Sequence, residues 1–258
     1  MDPHVNDIAL VAFDLDDTLA HSKSALEPDM TAALLELLDV RPVCIISGGR
    51  FEQFETQVLA HLPADDRLAR LHLMPTCGTQ YLRWQDERWV QIYAHELSPE
   101  DRARCFAVLE EEARRLGLWT ADEDTYGDRI EDRRSQVTFS ALGQFAPVEL
   151  KKHWDADGAK REALRAAVAP RLPELEVRSG GSTSIDITAQ GIDKAYGIGA
   201  LAEQEGLDPH DILFVGDRLE PGGNDFPVLR LGVQSHAVRS SEETPAYVRS
   251  LIAGLSPR

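Results

Sequence analysis

The sequence has few cysteines and no long apolar run. Its 258 residues include three cysteines, Cys44, Cys77 and Cys105, without the CxxC spacing of many metal and redox sites. We expect three unpaired thiols in a reducing compartment. No segment approaches the roughly 18 apolar residues that span a bilayer, and the start, Met1-Asp2-Pro3-His4, lacks the basic region of a signal peptide. These absences predict a soluble, cytoplasmic protein without a membrane partner.

Positive charge is also scarce. The chain carries 44 acidic against 27 basic residues, a formal net charge of −17. Without a Lys/Arg-rich segment to neutralise a run of phosphates, nucleic acid is not an expected partner. A small anionic metabolite remains possible, because salt screens exposed charges beyond about 8–10 Å and local groups decide what a pocket binds. The eight histidines show no metal-ligand spacing, so zinc is not expected.

The most informative stretch follows the apolar run 8–13, which predicts a strand buried on both faces of a parallel sheet. Asp14, Asp16, Asp17 and Thr18 come directly after it. Asp14 and Asp16 are two residues apart, so in extended backbone they would point to the same side. Two carboxylates that close persist only with a shared proton, a cationic partner or a bound metal ion. The alternative is an acidic turn in which Asp17 or Thr18 caps the next helix.

Buried strands alternate with amphipathic helices on either side of a central segment. Apolar residues at helical spacing predict helices after residue 28 and after residue 50, and the run 42–46 predicts a second strand that ends at Ser47. The pattern resumes with a helix over 195–205 and strands over 212–215 and 229–233. This alternation predicts a doubly wound, parallel α/β core, in which ligands bind outside the carboxyl ends of the strands.

The central segment has a different character. Residues 80–84 and 88–92 predict a hairpin, and Ser98-Pro99 opens a well-capped helix. Further strands are predicted over 136–139, 174–178 and 182–187, and a helix over 159–168. Hairpin connections of this kind join antiparallel strands, whereas the core pattern joins parallel ones. We therefore predict a core of residues 1–84 and 188–258 with an inserted α+β cap domain, residues 85–187.

More candidate site residues follow the later strands. The strand 212–215 is followed by Gly216 and Asp217, and Pro221, Gly222 and Gly223 force tight turns before Asp225. Asp14, Asp16 and Asp217 are thus expected to converge, with Asp225 close behind, and oxygen ligands suit Mg²⁺. Lys194 is placed to hold a phosphoryl oxygen. Ser47, with free backbone N–H groups of Gly48 and Gly49 at a helix start, forms a second expected anion site.

These motifs in this order (DxDxT, Ser, Lys, then GDxxxxGGND) resemble the haloacid dehalogenase superfamily of aspartyl phosphotransferases. The resemblance covers nearly the whole chain. It extends to the branch with a large α/β cap between the second and third motifs, and most closely to eukaryotic-type phosphomannomutases. Residues 131–144, 180–186 and 216–225 carry that closer similarity.

The resemblance implies a role for each motif residue. Asp14 would be the nucleophile that forms an aspartyl-phosphate, and Asp16 the acid and base. Ser47, Gly48 and Lys194 would bind phosphate. Mg²⁺ would be held by Asp14, the backbone carbonyl of Asp16, Asp217 and Asp225. The residues that would contact the rest of the substrate are Arg133, Gln144, Ser184, Asp186 and Lys23.

Two departures from the phosphomannomutase pattern affect the expected activity. Gln144 and Lys23 stand where that pattern has arginines. A mutase must hold one phosphate of a sugar bisphosphate while the other reacts, and arginine offers a bidentate charged fork that glutamine lacks. We therefore expect a phosphatase for a small phosphorylated sugar or polyol, with a phosphohexomutase as the alternative. The inserted cap argues against a non-enzymatic phosphoryl-accepting module, because receiver domains are uninterrupted.

Overall fold

The chain forms two compact units. The computed structural model describes residues 7–255. One unit contains the described residues up to Ala94 and those from Asp193 onward, and the other is the continuous stretch His95–Ile192. The chain therefore leaves the first unit once and returns to it once.

The first unit is built on a seven-stranded sheet with the order β11-β10-β1-β2-β3-β4-β5. The five strands β11, β10, β1, β2 and β3 are parallel, and β4 and β5 are antiparallel additions at one edge. The strands are β1 Leu10–Asp14, β2 Val43–Ile46, β3 Leu71–Met74, β4 Gln80–Gln85, β5 Arg88–Ala94, β10 Ile212–Gly216 and β11 Gln234–Ala237.

Both faces of this sheet are covered by apolar contacts. Side chains alternate along β1, so Val11 and Phe13 join one hydrophobic cluster while Leu10 and Ala12 join another. The first cluster includes α1 Pro28–Val40 and α7 Thr244–Gly254, and the second includes α6 Lys194–Glu205. The predicted doubly wound core is confirmed, and its apolar strands are buried for this reason.

Two sequence predictions need correction. The hairpin of β4 and β5 extends the core sheet, so the second unit begins at His95 rather than at residue 85, and it ends at Ile192 rather than at 187. The predicted strand 229–233 is wrong, because Phe226–Leu231 is a 3-10 helix and the strand follows at β11. In that helix Leu229 and Arg230 are exposed one after the other, so burial does not alternate there as it would in a strand with one buried face.

The second unit has its own sheet and its own core. Its antiparallel strands lie in the order β6-β7-β9-β8, and helices α3 and α5 contribute to its hydrophobic cluster. These elements are β6 Ile130–Asp132, β7 Gln136–Ser140, β8 Leu175–Ser179, β9 Ser184–Ala189, α3 Pro99–Arg115, α4 Val148–Trp154 and α5 Ala159–Val168. Val137, Phe139, Ile185 and Ile187 fill the core from one face, so the other face of β7 and β9 carries polar residues. The α+β composition predicted for the insertion is confirmed.

A partly buried polar network holds the last residue of α6 in the first unit. Glu205 accepts hydrogen bonds from Tyr81 Oη at 2.9 Å and from Arg83 Nη1 at 2.7 Å. His72, on β3, is 2.7 Å from Tyr81 Oη through Nδ1. Because the tyrosine proton goes to Glu205, His72 must be the Nδ1–H tautomer and donate.

No helix within residues 7–255 is both long and apolar enough to cross a membrane.

Candidate active site

The candidate site lies at the carboxyl edge of the parallel strands of the first unit. Asp14 is the last residue of β1 and pairs in register with Ile46, so Ser47 follows one residue beyond. On the other side of β1, Phe13 pairs with Val215, so Gly216 and Asp217 reach the same edge. Parallel strands expose their carboxyl ends together, and this brings residues from distant parts of the chain into one place.

A buried lysine links two buried aspartates at this edge. Lys194 Nζ lies 2.5 Å from Asp14 Oδ1 and 2.6 Å from Asp225 Oδ1. Lys194 is 1% exposed, Asp14 4% and Asp225 0%. Such a lysine could not stay charged alone, and the two carboxylates compensate it. The sequence placed this lysine near the carboxylates, and the structure brings it into direct contact with two of them.

Helix α6 holds Lys194 in place from its first turn. Asp193 caps the helix, since its Oδ1 accepts from Tyr196 N at 2.9 Å, and it pairs with Arg230 at 2.8 Å. The helix packs closely on the loop after β3 at Gly197. A Cβ there would lie 2.7 Å from the Cys77 carbonyl oxygen, so only glycine permits this approach.

Three carboxylates form a group that could hold a metal ion. One oxygen each from Asp14, Asp217 and Asp225 lies within 4.8 Å of the others. Thr18 Oγ1 donates to Asp217 Oδ1 at 3.3 Å and helps to orient it. A set made only of carboxylate oxygens has the chemistry that hard divalent cations prefer. The convergence predicted for Asp14, Asp217 and Asp225 is confirmed.

The electrostatics of this group are unfavourable without a further cation. Burial raises the pKa of Asp14 to about 8; Lys194 opposes the increase, and Asp225 and Asp217 add to it. Burial and then Asp225 also raise the pKa of Asp217. Burial lowers the pKa of Lys194, but Asp14 and Asp225 more than offset this, so its pKa lies above the ordinary value. A bound divalent cation would relieve the repulsion between the carboxylates.

Asp16 is held apart from these three carboxylates. Its Oδ1 accepts from Lys23 N at 2.8 Å, and its Oδ2 accepts from Gln53 Nε2 at 2.8 Å. Strand β1 ends at Asp14, so strand alternation does not extend to Asp16, and the expectation that the two side chains point to the same side stays a prediction. The Asp16 side chain is not a member of the candidate metal group. A ligand role for its backbone carbonyl stays a prediction.

The loop after β2 is used differently from the prediction. Ser47 is buried, and its Oγ accepts from Gly49 N at 3.1 Å, so the Gly49 amide is not a free anion donor. The helix that follows, α2 Phe51–Gln57, has only seven residues, which limits any contribution of its dipole. The Ser47 hydroxyl keeps its own proton to donate. Phosphate binding by Ser47 and Gly48 stays a prediction.

The second unit brings its predicted residues together in two places. Arg133 Nη2 lies 2.7 Å from Glu131 Oε2 and donates to Gln144 Oε1 at 3.4 Å. On the polar face of the sheet, Ser184 and Asp186 occupy alternate positions of β9, and Asp186 Oδ1 accepts from Thr138 Oγ1 at 2.8 Å. Lys23, grouped with these residues by the sequence, belongs to the first unit and lies 3.8 Å from Asp16 Oδ2.

Sequence reasoning missed three polar residues at these places. Lys151 Nζ donates to the backbone oxygen of Gln144 at 2.9 Å, which adds a cation beside Gln144. Gln53 and Gln57 both donate to Asp16. The i, i+4 spacing of the two glutamines on α2 was a signal, since it places both amides on one side of the helix.

The chain is similar to known proteins in sequence and in fold. Phosphomannomutase 1 of Mus musculus is 25% identical over 255 residues, covering 94% of this chain and 91% of the relative. A phosphomannomutase of Schizosaccharomyces pombe is 24% identical over 256 residues, covering 94% and 93%. A C-terminally truncated IMP-nucleotidase from Plasmodium falciparum superposes with a TM-score of 0.72 at 14% identity, covering 97% of this chain and 74% of that structure, a likeness of fold alone.

A family model gives the assignment. The model of haloacid dehalogenase-like hydrolases matches residues 11–244. That range begins in β1, includes all of His95–Ile192 and reaches the first residue of α7. It therefore contains every carboxylate of the candidate metal group together with Lys194. The chain belongs to the haloacid dehalogenase-like hydrolases.

Proposed function

We propose that this protein is a Mg²⁺-dependent phosphatase that hydrolyses a small phosphorylated sugar or polyol through an aspartyl-phosphate. The observation that carries the proposal is the buried contact of Lys194 with Asp14 and Asp225, beside Asp217. A carboxylate that attacks a phosphate monoester faces like-charge repulsion. A lysine fixed against the attacking residue offsets that repulsion where it arises.

The contacts of Asp14 distinguish its two oxygens. Its Oδ1 accepts from Leu15 N at 2.7 Å and from Lys194 Nζ. We therefore assign the attack to Oδ2. The new bond joins this oxygen to phosphorus while the bond from phosphorus to the alcohol oxygen breaks, and Asp16 gives its proton to the departing alcohol. Water then attacks the aspartyl-phosphate, Asp16 takes the proton, and phosphate leaves with the Asp14 carboxylate restored.

Asp14, Asp217 and Asp225 would hold Mg²⁺. When bound, the ion polarises phosphoryl oxygens and offsets the charge of the phosphate. Lys194 stays charged between its two carboxylates and would stabilise the same phosphoryl oxygens. The Ser47 hydroxyl would donate a hydrogen bond to another phosphoryl oxygen.

Mg²⁺ should stabilise the fold as well as support activity. A bound ion would relieve the repulsion between the buried carboxylates. By mass action, an ion that binds only the native state raises the unfolding free energy by about 2.7 kcal/mol at a concentration 100 times its dissociation constant. We expect thermal unfolding to shift upward by several degrees in MgCl₂ relative to EDTA. Asp217→Asn should reduce the shift, and a matched change of the exposed Asp157 to Asn should not. Equal melting temperatures of the wild type in MgCl₂ and EDTA would remove the ion from the proposal.

The charges of the second unit support hydrolysis over transfer. Arg133 is paired with Glu131, Gln144 is neutral, and Lys151 adds a cation beside Gln144. The three charged side chains together carry a net charge of +1. So small a positive charge suits a weakly bound monophosphate better than a sugar bisphosphate, which has to stay bound while it reorients. The polar face with Thr138, Ser184 and Asp186 offers hydrogen-bond partners for sugar hydroxyls.

A phosphohexomutase is the second candidate, because the two curated relatives described above are phosphomannomutases matched over nearly their whole length. One experiment separates the two activities. Phosphate release is measured over a panel of hexose and polyol phosphates, beside interconversion of hexose 1- and 6-phosphates primed with the 1,6-bisphosphate. We expect phosphate release to be the faster process. Interconversion far faster than release would establish the mutase.

Gln144→Arg should shift this ratio toward transfer. A charge-assisted hydrogen bond to a phosphate is worth about 1.5–3 kcal/mol, or roughly ten- to a hundredfold in affinity for the bisphosphate. The measurement is the ratio of hexose phosphate interconversion to phosphate release in the wild type and the variant. Gln190→Arg, at an exposed position of the same unit, is the matched control. A variant whose ratio stays at the wild-type value would show that Gln144 does not face the distal phosphate.

A further inference from the structure

The Asp16 carboxylate lies within a network formed by Lys23 and helix α2. Gln53 Nε2 donates to Asp16 Oδ2 at 2.8 Å, and Gln53 Oε1 accepts from Lys23 Nζ at 2.5 Å. Lys23 Nζ itself stands 3.8 Å from Asp16 Oδ2. The amide of Gln53 thus lies between an ammonium and a carboxylate, with its oxygen toward the cation and its N–H toward the anion.

The surroundings specify this arrangement. Gln57 is buried, and its Nε2 donates to Ser24 O at 2.6 Å and to Asp16 Oδ1 at 3.4 Å. A Cβ at Gly49 would lie only 2.0 Å from Gln53 Oε1. Any larger residue at position 49 would require the Gln53 amide to move from this position. Gly49, Asp16 and Lys23 therefore all lie beside the Gln53 amide.

We propose that Gln53 is a positioning residue for Asp16. Its N–H fixes the orientation of the carboxylate, and its carbonyl occupies the Lys23 ammonium, which would otherwise pair directly with Asp16. The inference rests on the proposed function, in which Asp16 gives a proton to the departing alcohol. Gln53 would thus act through Asp16, and the inference assigns it no contact with the substrate.

Loss of the amide should affect substrates unequally. Without Gln53, the flexible Lys23 side chain can close the 3.8 Å gap and hold the carboxylate in a new direction. An alkyl alcohol must receive a proton as it leaves, so its release depends on the direction of Asp16. p-Nitrophenolate leaves as a stable anion and needs no proton. A merely structural role for Gln53 would lower turnover of both substrates alike.

The test is Gln53→Met, which keeps the length of the side chain and removes both hydrogen bonds. The readout is kcat/KM for p-nitrophenyl phosphate and for the hexose phosphate that the wild type hydrolyses fastest. We expect a fall of about tenfold for the hexose phosphate and less than about twofold for p-nitrophenyl phosphate. Adding Lys23→Met should restore part of the ratio between the two substrates, because the competing ammonium is gone. Gln204→Met, at an exposed position of α6, is the matched control.

Two further variants keep the inference separable from the proposed function. Asp16→Asn should show the same substrate bias in larger degree, about a hundredfold or more for the hexose phosphate. Gln53→Asn keeps an amide on a side chain one methylene shorter, and it replaces Gln53→Met in the test if that variant does not fold. Its substrate bias should be smaller. A bias in Asp16→Asn without one in the folded Gln53 variants would overturn the inference alone. No bias in Asp16→Asn, or no hydrolysis by the wild type, would overturn the proposed function and the inference with it.

Discussion

Asp14→Asn is expected to lower phosphate release by about 10⁴-fold or more, because it removes the attacking charge and keeps the shape of the side chain. The fold should survive, since the change removes one of three mutually repelling carboxylates. Acid-quenched wild type incubated with ³²P-labelled substrate should carry label on the protein, and the variant should carry none. The measurement pairs phosphate release with this trapping experiment.

The neighbouring Asp17 provides the control. It is exposed, has φ 60°, and its Oδ1 accepts from Ser22 N at 3.1 Å. Asparagine tolerates that backbone conformation and can accept the same hydrogen bond. Asp17 has no assigned role in the reaction, although its charge contributes to the raised pKa of Asp217, so phosphate release by Asp17→Asn should stay within about twofold of the wild type. Substantial activity in folded Asp14→Asn, or labelled protein from it, would rule out Asp14 as the nucleophile.

Lys194→Met is expected to lower both activity and stability. It leaves Asp14 and Asp225 buried without their cation, and breaking a buried pair in this way costs about 3–5 kcal/mol of unfolding free energy. Loss of a fixed cation at the phosphoryl group should lower kcat by about 10²–10³-fold. Chemical denaturation and phosphate release are the two measurements. Saturating Mg²⁺ should recover part of the stability.

Two companion variants interpret that result. Lys152→Met removes an exposed lysine that pairs with the exposed Glu149, so unfolding free energy should change by about 0.5 kcal/mol or less. Lys194→Met combined with Asp225→Asn removes one of the stranded carboxylates, so stability should return further than activity does. If Lys194→Met alone matched the wild type in both measurements, Lys194 would be neither a structural nor a phosphate-binding residue.

The strands that carry the site were predictable because their signal is strong. Residues 8–13, 42–46 and 212–215 are continuous apolar runs, and a strand buried on both faces requires such a run. Asp14 and Ser47 follow the first two runs directly, and Asp217 follows the third after Gly216, so the edge rule for parallel sheets brings Asp14, Ser47 and Asp217 together.

The remaining features depend on geometry that has no periodic signal. Strand β11 has only four residues and is partly exposed, so apolar spacing could not locate it. The contact of Asp16 with Gln53 depends on a loop that turns back through positive φ at Asp17 and Lys23, which neither residue type requires. The pairing of Arg133 with Glu131 is a side-chain orientation that a sequence does not encode locally. Tertiary contacts of this kind decide which neighbours a charged residue meets.

The position of β1 in the middle of its sheet has a consequence for synthesis on the ribosome. One neighbour, β2, is translated soon after β1, but the other, β10, begins about 200 residues after Leu10. At about 5–20 residues per second, one edge of this apolar strand waits roughly 10–40 s for its partner. The continuous stretch His95–Ile192 is complete before that partner exists. The nascent chain therefore has to shield an open, apolar strand edge for most of its translation, a period in which chaperone binding at β1 would be most useful.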